Sequence, residues 1–155
     1  TSFGYLGFKA GENKYTYPRP TEDKVLQLFA CMRDLAEYVI VDCVSDPADL
    51  MSAMAKSEAD VIIQMISPDL KCMTYYASNA EQYAAISDRT VKVMNKKEND
   101  IFLPNEEVAA HFKNVQFVLP YSQALKRQIY TGTLSERLSD SKYRAAISQT
   151  AKAVI

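Results

Sequence analysis

Glycine is scarce in this chain: there are four in 155 residues, at positions 4, 7, 11 and 132. None falls in a GxGxxG or GxxxxGK[ST] pattern, so the chain carries no phosphate-cradling loop of its own. Tryptophan is absent and histidine occurs once, at His111. The three cysteines, Cys31, Cys43 and Cys72, stand far apart with no CxxC pair. That spacing argues against a zinc site or a disulfide framework and fits a reducing, cytoplasmic setting. No apolar run approaches the roughly 20 residues of a membrane span. The opening "TSFGYLGFKA" lacks the basic and long apolar regions of a signal peptide. The formal charge of −1 gives no bulk attraction to nucleic acid or acidic membranes, leaving room only for a local basic patch.

What is present is an ordinary globular composition, with 48% apolar and 24% charged residues. The length fits one domain, or the later part of one. Residues 1–20 are rich in aromatics, proline and glycine and read as an ordered loop, with a short strand at Phe3 to Phe8. A helix is expected after Pro20, capped by Thr21, with Val25, Leu28, Phe29, Met32 and Leu35 on its apolar face. Tyr38 to Cys43 reads as a strand. Pro47 to Glu58 reads as a helix with Leu50, Met51 and Met54 inward. A strand follows at 59–67, and then a helix opens with Ser67 as N-cap and Pro68 at its first position. That helix is expected to reach Ser87 with a stripe of Leu70, Met73, Ala77, Ala80 and Ala84. Strands are expected at 89–95 and 114–120, with a charged loop from Lys96 to Pro104 and a short helix from Asn105 to Phe112. Segment 121–138 reads as irregular or weakly helical, and Ser141 to Val154 as the last helix. Short apolar strands alternating with helices predict an α/β fold, a mostly parallel sheet with helices on both faces. Ligands of such sheets sit beyond the carboxyl ends of the strands. Attention therefore falls on Asp42, Ser67, Asn95 and Pro120.

Each of these residues has two readings. Asp42 is a carboxylate at the end of an apolar run, either a turn residue or one oxygen ligand for magnesium. Asn95 offers a donor and an acceptor that match a base edge, or caps a strand–loop junction. Pro120, Tyr121 and Ser122 line a base pocket or reverse the chain. Ser67 is read as a helix cap, and Asp46 and Asp49 as turn and helix-start residues. His111 has no partner in the sequence and is read as a surface or half-buried residue. Cys43 has no adjacent positive charge to activate it. Of Tyr75 and Tyr76, at most one faces the core. Lys126 and Arg127 are read as a solvated basic pair.

The strand ends, taken in order, carry a resemblance. "YVIVDC" looks like the Walker B strand of the MinD/ParA group of P-loop ATPases. "EADVIIQMISPDLKCMTYYASN" resembles that group's next strand–helix unit. "VKVMNK" resembles its strand ending in Asn-Lys, and "NVQFVLPYSQAL" its strand leading to Pro and a polar residue. "SKYRAAISQTAKAVI" is similar to its closing helix. The likeness covers about residues 38 to 155 and is nearest to CpaE-like pilus-assembly and related accessory ATPases. It implies a P-loop NTPase-like sheet lacking the first strand and phosphate loop. It also implies a parent that binds ATP and Mg2+, with Asp42 at the metal and Asn95, Pro120, Tyr121 and Ser122 around the base. No residue here is assigned a catalytic role, and the chain alone is expected to be inactive. Implied partners are an N-terminal half of the same domain or a second copy, and protein machinery for secretion, pili, conjugation or partition. The pattern departs from the group at "CVSDPAD", where Pro or Gly usually follows the Asp. A non-catalytic α/β interaction or regulatory module stays open as the alternative. A receiver-type domain lacks its expected acidic pair and final lysine.

Overall fold

A computed structural model of the protein describes residues 3–13, 15–97 and 105–155. The chain divides into two compact units, Thr1–Ala59 and Asp60–Ile155.

The first unit is helical. Its opening loop pairs its own aromatics: Phe3 meets Tyr5 edge-on at 5.3 Å, and Phe8 meets Tyr17 at 5.0 Å. The strand expected at Phe3 to Phe8 does not form, since no ladder partner lies within the described residues. Helix α1 (Glu22–Leu35) follows Thr21, whose side chain makes no capping bond. Helix α2 (Leu50–Glu58) is capped by Asp49, which accepts from the Ser52 N–H at 2.8 Å. Val25, Phe29 and Ala55 form a small core, with Met32, Leu50, Met51 and Met54 packed around it. Leu35, expected on the inner face, is instead 86% exposed in the last turn of the helix. Arg33 joins the two helices by an ion pair to Glu58 at 3.4 Å.

The strand expected at Tyr38 to Cys43 is also absent. This stretch has no regular structure, and Ile40 in it is 94% exposed. The physical reason is that β-propensity records a fit to a neighbouring strand, and the first unit contains none among its described residues.

The second unit is α/β. Strands β1 (Ile62–Ile66), β2 (Thr90–Lys97) and β3 (Val115–Pro120) form a parallel sheet in the order β1-β2-β3. Between β1 and β2 lie α3 (Leu70–Ser78), α4 (Ala80–Ala85) and a 3-10 turn at Ser87–Arg89. Helix α5 (Asn105–Phe112) links β2 to β3, and α6 (Gln123–Thr131) and α7 (Ser141–Val154) follow. Ile66, Met94, Val108 and Phe112 form the core of one face, with Cys72, Met73 and Tyr76 against it. Val93 points the other way by strand alternation and is fully buried, as is Leu119 of β3, the strand on which α7 packs. The same face of β1 is uncovered: Ile63 is 47% and Met65 51% exposed.

The single helix expected from Pro68 to Ser87 is broken at Asn79, which caps α3 and donates from its amide to the Tyr75 carbonyl at 2.8 Å. Of the expected stripe only Met73 packs against the core, and Ala77, Ala80 and Ala84 are exposed. Leu70 is 72% exposed, and Tyr76 and Tyr83 stack at 5.1 Å instead. Lys96 and Lys97, expected in a loop, complete β2, and the rest of that loop lies outside the described residues. Segment 121–138 is more regular than expected. Ser122 caps α6, and Gly132 ends it in a left-handed conformation (φ 69°) that costs glycine least.

Candidate functional site

The carboxyl ends of β2 and β3 form a small polar rim. Lys97 pairs with Pro120, and the Tyr121 N–H donates to the Lys97 carbonyl at 2.9 Å. The β2–β3 pairing shifts register twice, between Lys92 and Val93 and again between Met94 and Lys97. At the second shift β2 carries one more residue than β3, so Asn95 and Lys96 sit in a bulge. Lys96 takes a left-handed φ of 56° there. The half-buried Asn95 answers this turn locally: its Oδ1 accepts from the Lys96 N–H at 2.8 Å. Its amide nitrogen has no partner among the described residues. Asn95 thus keeps the donor half of a base-edge pair and has committed the acceptor half.

Tyr121 donates its hydroxyl to Gln123 Oε1 at 2.9 Å, and the Lys126 ammonium lies over its ring at 6.0 Å. Ser122 is buried and works as a junction. Its oxygen accepts from the Leu125 N–H at 3.2 Å, capping α6. Asp140 in turn caps α7, accepting from the Tyr143 N–H at 3.0 Å. The Tyr143 N–H, then the Ser122 hydroxyl, hold the Asp140 carboxyl below its ordinary range. Ser122 therefore ties the start of α6 to the end of β3, and Asp140 does the same work for α7.

At the end of β1 the cap is Asp69 rather than Ser67. Asp69 accepts from the Cys72 N–H at 2.8 Å, and Ser67 bonds the carboxylate through its hydroxyl. The Ser67 hydroxyl first, and the Cys72 N–H second, pull the Asp69 pKa down. Asp42 belongs to the first unit, where it is exposed and lies outside any strand. The structure therefore brings Asn95, Pro120, Tyr121 and Ser122 to one rim, and Asp42 is not a member of that sheet.

No protein family model, no curated protein and no solved structure matches this chain. The residues at the rim must speak for themselves. Among the described residues no three His, Cys, Asp or Glu side chains gather where a metal ion could be held. The described residues thus fit the base end of a nucleotide in part, through the Asn95 amide nitrogen, and do not by themselves cradle its phosphates. Among the described residues no helix is long and apolar enough to cross a membrane.

Two features escaped the sequence reading. The caps at Ser122 and Asp140 carried a signal, since each polar residue stands just before a helical run. The cleft beside α6 carried only the Lys126–Arg127 pair, because Arg137 joins it through the backward course of the following segment.

Proposed function

We propose that the chain is the later part of a MinD/ParA-type ATPase, nearest to CpaE-like accessory ATPases. The parent would act in the cytoplasm, bind Mg-ATP and position or assemble a secretion, pilus, conjugation or partition machine. One observation carries the reading. The segments that resemble this group, "ISPD", "VMNK" and "LPYS", fall in order at or just past the ends of three parallel strands. In a doubly wound sheet, that is where ligand groups belong. In this scheme Asn95 donates to an acceptor on the base edge, and Pro120 and Tyr121 form the wall beside it. Asp42, implied by the resemblance to lie at the metal, belongs to the first unit and is given no place at this rim; magnesium, where bound, would neutralise phosphate charge. The phosphate-gripping lysine would come from outside this chain, from the N-terminal half of the domain or a second copy.

A second reading, a non-catalytic α/β interaction module, is favoured by the local bonds of Asn95 and the capping role of Ser122. Adenosine separates the two. The nucleotide reading expects adenosine to shift the Asn95 side-chain amide and Tyr121 ring resonances in an NMR titration, and Asn95→Ala to abolish the shift at Tyr121. Unmoved resonances at millimolar adenosine would favour the interaction module. A coupled phosphate-release assay adds a further check. The chain alone should show no turnover, and turnover that survives repurification and disappears in Asp42→Ala would overturn the proposed division of labour.

A further inference from the structure

Helix α6 and the segment after it border an open cleft that meets the rim only where Gln123 and Lys126 touch Tyr121. Past Gly132 the chain runs back along the helix. Gln128 Nε2 donates to the Glu136 carbonyl at 3.3 Å, and the Thr133 N–H donates to the Gln128 carbonyl at 3.0 Å. Nearer the turn, Thr131 bonds Thr133 between hydroxyls at 2.9 Å. These bonds fix the returning segment beside α6 and leave a space of about 870 Å³, a size that suits a small ligand.

The lining of this cleft is charged. Lys126, Arg127 and Arg137 face one carboxylate, Glu136, leaving the lining two charges positive in a chain whose total is −1. Among the described residues neither Arg127 nor Arg137 forms an ion pair or a side-chain hydrogen bond. A guanidinium presents a rigid fork of donors that matches the oxygens of a phosphate, and this cleft is lined by two of them. Lys126 adds a third positive charge.

We propose that this cleft binds a phosphate monoester dianion, gripped by Arg127 and Arg137. A soluble phosphate ester and a phospholipid headgroup share that chemistry. Ile129 and Leu134 nearby are 58% and 60% exposed, a feature that only the lipid source would use. The test has two arms on the full chain. Glycerol 3-phosphate is titrated by calorimetry, and vesicles of phosphatidylcholine with and without phosphatidic acid are tested by co-sedimentation. Saturable binding of glycerol 3-phosphate identifies a soluble ligand. Binding only to vesicles that contain phosphatidic acid identifies the lipid source. In either case Arg127→Gln with Arg137→Gln should weaken binding at least tenfold, with an unchanged circular dichroism spectrum. Arg127→Lys with Arg137→Lys keeps the charge but loses the fork, and should also bind more weakly than the wild type. Absence of binding in both arms overturns the proposal. So does full binding by the glutamine pair or by the lysine pair. Because neither Arg127 nor Arg137 belongs to the rim, failure here leaves the adenosine result untouched.

Discussion

Lys92 is a charged residue in a central strand, and its ammonium is fully employed. It donates to the Tyr76 hydroxyl and the Phe112 carbonyl at 2.8 Å each, and to the Lys113 carbonyl at 3.1 Å. Phe112 ends α5, so the ammonium satisfies carbonyls that the helix leaves without internal partners. Lys92→Met keeps the length and removes all three bonds. Equilibrium urea unfolding should show a loss of about 1–3 kcal/mol, the usual cost of orphaned acceptors. Asp69 makes a second prediction, through pH. Its folded pKa lies below the unfolded one, so its contribution is present above about pH 4 and fades as the pH falls. Asp69→Ala should cost about 1 kcal/mol at neutral pH, as lost N-caps do, and the gap to wild type should narrow in melts near pH 3. Tyr83 works in the opposite direction. Burial raises its pKa, so its contribution holds below about pH 10 and is lost as the pH rises through the folded value.

Strand β1 poses the problem of an edge. It pairs with β2 on one side, and no strand among the described residues lies on its other side. Ile63 and Met65 point from the uncovered face. Such a strand invites self-association. Replacing both by threonine keeps β-propensity and should change stability by no more than about 0.5 kcal/mol. Light scattering on size-exclusion fractions should show less aggregate in the variant than in the wild type. Unchanged scattering would mean that this edge is not the sticky surface. The three strands and the helices at 105–112 and 141–154 were legible in the sequence because their signals are local: short apolar runs, caps and apolar spacing. The segment 38–43 was misread because a strand is a property of a pair. The break at Asn79 was missed because apolar spacing continues through it. The rim was legible as a place, since parallel strands share one carboxyl end. The bulge at Asn95 was not, because one extra residue in a ladder leaves no trace in composition.

The two units differ in what they can support alone. Asp60–Ile155 holds every strand among the described residues and the larger core. The first unit rests on three buried apolar side chains and the methionines around them. Expressed alone, residues 60–155 should keep an α/β circular dichroism spectrum and melt cooperatively. A spectrum of disordered chain would show that the second unit depends on residues before Asp60. Within that fragment Phe112, fully buried at the centre of the core, is the most sensitive position. Phe112→Ala should cost about 3–5 kcal/mol.

The two register shifts between β2 and β3 can be restated as parity. Lys92 pairs with Val115 but Val93 with Phe117, so Gln116 is an extra count on β3. Met94 pairs with Val118 but Lys97 with Pro120, so β2 spends an extra count at Asn95–Lys96. Each insertion reverses the odd–even assignment of side chains to faces on its own strand, which is how Val115 joins the α5 core while Phe117 aligns with Val93. The second insertion cancels the first, and the strands part with the offset at which they met. Removing Lys96 and Gln116 together therefore preserves every pair from Lys92 with Val115 to Lys97 with Pro120. A sheet shortened in this way should still fold, with Asn95 released from the backbone bond that now occupies its oxygen.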